Sequence, residues 1–296
     1  MIATATQPTI EIEEQRDLKA RIIKATRDLP PMPDVIFKIQ RTLLDPNAYA
    51  QQIADLIETD QALAARVLKI ANSPFYGMTG KVASVHHAAV ILGFKTLGEL
   101  TTIAGFSELM GNKLAGYGYR ADELWRHSLA VALASKHIAQ KLNPELISDA
   151  LTAGLIHDLG KLILDPYVFE QREIFDEFME ATEQTFLRAE KHILGFDHAE
   201  IAYEICRHWN FPEALALSIK YHHYPSLSKD SQMAYILHLA DYIAVLSDSG
   251  YDMDEILDIQ EEGTQAFLEV HQEEIRSISS VIIASIANIE EELCIY

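Results

Sequence analysis

The chain has 296 residues, 49% of them hydrophobic, and its 44 acidic against 24 basic side chains give a formal charge of −20. That field repels phosphate backbones and anionic headgroups, and no basic patch is segregated in the sequence, so nucleic acid and membrane are not expected as partners. The cysteines Cys206 and Cys294 are too far apart for a metal-type pair, and MIATATQPTIEIEEQRD lacks the basic and apolar regions of an export signal, so a cytoplasmic location is expected.

Residues 1–26 read as an N-terminal extension, and helical periodicity dominates after residue 18. In PDVIFKIQRTLL, Val35, Ile36, Ile39, Leu43 and Leu44 recur at helical spacing behind the start signals Pro33 and Asp34. AYAQQIADLIETD leads to Asp60, which can cap QALAARVLKIAN before the Ser73-Pro74 break. A helix from about Ser84 to Gly93 and another over KTLGELTTIAGFSELM follow, and no stretch reaches about 18 uninterrupted apolar residues, the length a membrane span needs.

GNKLAGYGYRAD, residues 111–122, is the richest glycine cluster and predicts a seam near residue 115 between an N-terminal helical lobe, 27–115, and a second lobe, 116–250. Beyond it the pattern predicts helices over 121–141, 144–163, 166–179, 183–194, 197–208, 212–222 and 230–247. Acidic helices packed on the bundle finish the chain over 251–296. With no strand alternation, the predicted fold class is all-α.

Within this frame LTAGLIHDLGKLILD, residues 151–165, sets His157, Asp158 and Lys161 into an apolar run. A buried charge without a partner costs several kcal/mol, so these groups must be paired, bind something or line a cavity. Other imidazoles and carboxylates stand in comparable positions. Glu123 lies four residues before His127 on one helix face, His198 opens a helix, His222 and His223 are adjacent, and Asp241 interrupts the apolar helix MAYILHLADYIAVL. This mixture suits a divalent metal, and these eight residues would accommodate one or two ions, with Fe, Mn, Ni and Zn indistinguishable. Simpler readings also exist. Glu123 with His127 is compatible with an exposed helical pair, Asp158 with Lys161 with a salt bridge, and His222-His223 with a helix C-terminus. His86, His87, His137, His192, His208, His238 and His271 read as satisfied core or surface residues.

The order His127, His157-Asp158, Gly160-Lys161, His198, His222-His223, Asp241 resembles the HD superfamily of metal-dependent phosphohydrolases. LPPMPDVIFKIQRTL, DQALAARVLKIANSPFYG, SVHHAAVILGFKTL and GFDHAEIAYEICRHWNFPEALALSIKYHH sharpen the resemblance to its HDOD branch, across about residues 27–247. The resemblance implies an HD-type helical bundle with an additional N-terminal helical lobe, in signal-transduction and regulatory proteins. It also relates the chain to HD-GYP cyclic-di-GMP phosphodiesterases. That pattern assigns metal binding to Glu123, His127, His157, Asp158, His198, His222, His223 and Asp241, and phosphate contact to Lys161. The Gly-Tyr-Pro segment is missing, since YPSLSKDSQMA follows the His-His pair. Two functions are therefore expected. One is a regulatory module with a metal site and a protein partner in a signalling pathway. The alternative is a phosphohydrolase acting on a nucleotide or other phosphoester, with Asp158 and Lys161 as its catalytic residues.

Overall fold

Apolar side chains at helical spacing become buried stripes along fifteen α-helices in a computed structural model that describes residues 12–27, 34–43, 45, 47–76, 81–182, 185–249 and 263–293. The first five are α1 (Ile12–Arg27), α2 (Asp34–Leu43), α3 (Ala50–Glu58), α4 (Gln61–Ala71) and α5 (Val85–Met110). Asp60 caps α4 as its sequence position predicts, its carboxylate accepting from the N–H groups of Ala62 and Leu63, each at 3.0 Å. α2, α3 and α4 pack around α5, burying Ile36, Ile39, Ile53, Ile57, Val67 and Ile70. By length and hydropathy α5 could cross a membrane, but 56% of its most apolar window is buried against the rest of the protein. Gly93, at φ +78°, breaks the helical path within α5 where the sequence predicts a helix end.

The second lobe comprises α6 (Glu123–Leu142), α7 (Ile147–Ile156), α8 (Gly160–Glu170), α9 (Arg172–Thr182), α10 (Phe186–Ile193), α11 (His198–His208), α12 (Glu213–Lys220) and α13 (Gln232–Ser249), followed by α14 (Thr264–Leu268) and α15 (Gln272–Leu293). α6 packs against α7 and α13, and α11 against α8 and α12, so the elements bearing the histidines converge. One hydrophobic core runs continuously through both lobes, from Leu18 on α1 to Ile289 on α15. α15 lies on α6 and α13 of the second lobe and also on α4 and the Pro74–Tyr76 turn of the first. α1, within the predicted N-terminal extension, packs on α8 and α11 through Leu18 and Ile22. Cys294 and most of the stretch between α13 and α14 lie outside the described residues.

Two predicted boundaries shift for physical reasons. The helix expected over 144–163 breaks at residues 157–159, where Leu159 N bonds Ile156 O at 3.2 Å and Lys161 N bonds Asp158 O at 2.9 Å. The apolar run continues through this turn, so hydrophobic periodicity does not reveal it. Pro166, expected to open a helix, lies inside α8, which continues to Glu170. Proline's fixed φ is itself helical, so the chain path is kept, although the residue supplies no amide donor to the Leu162 carbonyl and its ring crowds that group.

Among the described residues there is no strand, only an isolated bridge between Leu114 and Tyr119. It closes the glycine cluster into a turn, with Gly118 at φ +74°. Asp165 of α8 fastens that turn, its Oδ1 accepting from Gly116 N at 2.8 Å and Tyr117 N at 3.3 Å. The cluster thereby carries Tyr117 and Tyr119 to the mouth of the second lobe.

Candidate metal centre and adjoining cleft

The turn between α7 and α8 delivers His157 and Asp158, both almost wholly buried. α6 brings His127, the start of α11 brings His198, the segment after α12 brings His222 and His223, and the middle of α13 brings Asp241. These seven residues form three overlapping groups, His198/His222/His223, His127/His157/Asp158 and His157/His222/Asp241, each with its ligand atoms within 4.8 Å of one another. Asp158 lies between the first two. Its Oδ1 is 3.2 Å from His198 Nε2, and its Oδ2 is 3.5 Å from His157 Nε2 and 3.6 Å from His127 Nε2. Asp241 Oδ1 is 3.0 Å from His127 Nε2.

Hydrogen bonds behind the rings fix which nitrogen faces inward. His157 Nδ1–H donates to the Gly154 carbonyl at 2.8 Å, and His222 Nδ1–H donates to the Ile219 carbonyl at 2.7 Å. A carbonyl only accepts, so in the neutral rings each Nε2 carries a free lone pair. Both of those Nε2 atoms are buried without a hydrogen-bond partner. An orphaned buried acceptor costs about 1–3 kcal/mol, and a cation would satisfy both together. The donor set of imidazole and carboxylate fits a divalent ion.

His198 is oriented by a residue that sequence reasoning missed. Glu190, buried on α10, accepts from His198 Nδ1 at 2.8 Å, from the His198 backbone N–H at 2.8 Å and from the Tyr117 hydroxyl at 2.8 Å. On the other side of the ring, His198 Nε2 lies within hydrogen-bond distance of His223 Nε2, at 2.8 Å. Gly195, at φ +81°, turns the chain between α10 and α11 so that Glu190 and His198 face each other. Gly160 allows the approach of α8, because a Cβ there would stand 1.9 Å from the His198 carbonyl oxygen.

The cluster perturbs its own ionisation. Burial and the neighbouring His157 push the His222 pKa down to about 3. Burial, then His222 and His198, push His223 well below the ordinary value, and burial also lowers His157. Burial opposes ionisation of Asp158, but His157, Lys161, His198 and His127 outweigh it and hold the carboxyl well below the usual range. At Asp241 burial is likewise outweighed, first by the hydrogen bond from His127. Lys161 Nζ donates to Asp158 Oδ2 at 2.7 Å, and against the effect of burial that carboxylate raises the lysine pKa.

Glu123 is not brought into this cluster. Its carboxylate accepts from the Arg120 backbone N–H at 2.7 Å and from the Arg120 guanidinium, and those bonds lower its pKa. Helical i,i+4 spacing places it on the same side as His127, but it is the first residue of α6, where a carboxylate closes the preceding turn and faces free amide groups. Of the histidines read as ordinary residues, His238 donates from Nδ1 to the His222 carbonyl at 2.7 Å, His192 stacks on Phe178 with centroids 4.7 Å apart, and His86 pairs with Glu58 at 3.2 Å.

A cleft of about 720 Å³ opens beside the cluster. His198, His223 and Lys161 contribute to its lining, together with Tyr117, Tyr119, Phe186, Arg188 and Tyr224. A smaller cavity of about 150 Å³ reaches His127 between α6, α13 and α15, where Arg126 pairs with Glu290. Tyr117, Tyr119, Phe186, Arg188 and Glu190 were not among the sequence candidates. The one available signal was Glu190, an acidic residue on the apolar stripe of its helix, eight positions before His198.

A helical bundle built around a buried His-Asp doublet defines an HD-type protein. More narrowly, residues 29–225 match the HDOD domain, and the chain belongs to that family. It is 28% identical over 225 residues to an uncharacterized protein of Treponema pallidum (strain Nichols), covering 72% of this chain and 41% of that protein, so it spans less than half of that relative's length. Two solved structures share the fold. One is an HDOD domain protein with unknown function from Geobacter sulfurreducens, with a TM-score of 0.78 at 24% identity, covering 95% of this chain and 99% of that one. The other is a presumed phosphohydrolase from Shewanella amazonensis SB2B, with a TM-score of 0.72 at 22% identity, covering 93% and 98% respectively.

Proposed function

We propose that the second lobe holds a divalent metal and hydrolyses a phosphoester bound in the adjoining cleft. The observation that carries this reading is the pair of buried, orphaned Nε2 atoms of His157 and His222, facing Asp158 and Asp241 beside an open cleft. His127, His157, Asp158, His198, His222, His223 and Asp241 would hold the ion or ions. A divalent ion there supplies Lewis acidity and brings the pKa of a water toward neutrality. Lys161, on the cleft wall, donates to a phosphate oxygen and offsets negative charge as it develops. Glu190 holds the His198 ring with its Nε2 directed into the centre. The phosphohydrolase description of the Shewanella amazonensis relative agrees with this assignment.

A second reading, regulatory rather than catalytic, is favoured by specific features. Glu123 serves its own helix terminus, and the Lys161 ammonium already occupies Asp158 Oδ2. α15 also touches both lobes, a route by which a protein partner on the N-terminal lobe could act on the centre. In this reading the metal is structural and the output is a protein contact.

The test combines elemental analysis of anaerobically purified protein with hydrolysis of bis(p-nitrophenyl) phosphate by metal-loaded protein and its Asp158→Ala variant. Bound metal and turnover that the variant loses are expected. Metal without turnover leaves the regulatory reading, and absence of both ends the metal-centre assignment.

A further inference from the structure

Displacement at phosphorus spreads negative charge over several oxygens, so a single ammonium donor leaves part of that charge unmatched. Lys161 is moreover shared, since its Nζ also donates to Asp158 Oδ2 at 2.7 Å. A second fixed donor beside the lysine would complete the anion contact. The glycine-rich turn that joins the two lobes carries a side chain in that position, Tyr119, whose hydroxyl lies 3.4 Å from Lys161 Nζ and which lines the cleft with it.

The turn holds Tyr119 firmly. Its backbone exchanges two hydrogen bonds with Leu114, Tyr119 N to Leu114 O at 2.9 Å and Leu114 N to Tyr119 O at 3.1 Å. Asp165 of α8 fastens Gly116 and Tyr117 from one side, and Arg172 of α9 donates from Nη1 to the Gly116 carbonyl at 2.7 Å. The turn is therefore tied to α8, the same helix that carries Lys161. A donor whose position is set by the fold needs no reorganisation when charge develops nearby.

The direction of the hydroxyl proton follows from its neighbour. An ammonium has only donors, so the Tyr119 oxygen accepts from Lys161 and its own O–H turns away from that charge. Among the described residues no acceptor meets this O–H. Tyr117 differs, because its hydroxyl donates to Glu190 at 2.8 Å. Resting on the hydrolytic reading above, we propose that Tyr119 is a second phosphate-contacting catalytic residue: its O–H donates to one non-bridging oxygen of the phosphoester while Lys161 serves another.

Tyr119→Phe tests this, because it removes the hydroxyl and keeps the ring that packs 5.4 Å from Lys161 Nζ. Metal content, Tm, steady-state hydrolysis of bis(p-nitrophenyl) phosphate and calorimetric titration with inorganic phosphate are compared between Mn2+-loaded parent and variant. The variant should keep the parent's metal content and Tm, while kcat/KM and phosphate affinity each fall about ten- to a hundred-fold, as for the loss of one hydrogen bond to a charged group. Turnover and phosphate affinity within a factor of about two of the parent's overturn the assignment and leave the hydrolytic reading in place. Loss of metal from the variant also overturns it, making Tyr119 a support of the Lys161–Asp158 pair. A metal-containing parent that binds phosphate without turnover ends the hydrolytic reading and with it the catalytic role of Tyr119, and a parent that does neither overturns both.

Discussion

Replacing Glu190 with glutamine examines whether the carboxylate behind His198 supports metal binding. Glutamine keeps the volume and one acceptor oxygen, which can still serve the two His198 donors, while the Tyr117 hydroxyl rotates to accept from the new amide. The fold should survive, losing about 1–2 kcal/mol as two charge-assisted bonds become neutral. The larger effect falls on the metal. Removing a carboxylate behind a ligating histidine typically weakens metal affinity about 10- to 100-fold, or about 1.4–2.8 kcal/mol. For a chain of 296 residues the entropy of unfolding is about 0.6 kcal/mol per degree. With metal well above both dissociation constants, the metal-induced rise in Tm should therefore be about 2–5 °C smaller in Glu190→Gln than in the parent protein. Scanning calorimetry of chelated and Mn2+-loaded samples of each reads this directly. Identical metal-induced shifts in the two proteins would refute the assignment of Glu190 as the support of a ligand.

Gly160→Ala should destabilise the protein by at least about 1–3 kcal/mol, since the added methyl meets the His198 backbone rather than a flexible side chain; an unchanged urea midpoint would contradict the close approach of α8 and α11. Lys161→Gln should lower turnover of bis(p-nitrophenyl) phosphate by about 10²- to 10³-fold without changing metal content, and loss of metal instead would make the lysine a support of Asp158 rather than a phosphate contact. In chelator-treated protein, His157, His222 and His223 bind protons less readily when folded than when unfolded. Their contribution is thus present above the ordinary histidine pKa of about 6.5 and is lost as pH falls toward the folded value of about 3 for His222, while His198, shifted upward, acts in the opposite sense. Urea midpoints should fall between pH 7.5 and pH 5, and a midpoint that rises over that interval would show the three depressed histidines not to dominate.

Much of the molecule was legible from local pattern. Asp60 caps α4, the break at Gly93 and most helices of the second lobe follow from periodicity and capping chemistry, both of which act within a few residues. The break at His157-Asp158-Leu159 was not legible, because Leu151, Ile156, Leu159 and Ile163 keep an apolar pattern across the turn. Glu123 shows the converse. Its spacing from His127 satisfied a local rule, but a competing local partner, Arg120, took the carboxylate.

Sequence alone determined the all-helical class, the family, and the unusual residues that a purely apolar core would not contain, because burial of His157, Asp158 or Asp241 carries a desolvation cost visible from composition and context. Tertiary structure alone decided which of them meet, which nitrogen of each ring faces inward, and that Glu190 stands behind His198. It also turned a glycine-rich stretch that reads as a seam into the holder of two tyrosines at the cleft. Those outcomes depend on packing between α6, α8, α10, α11 and α13, elements far apart along the chain, and no short-range rule encodes distances between them.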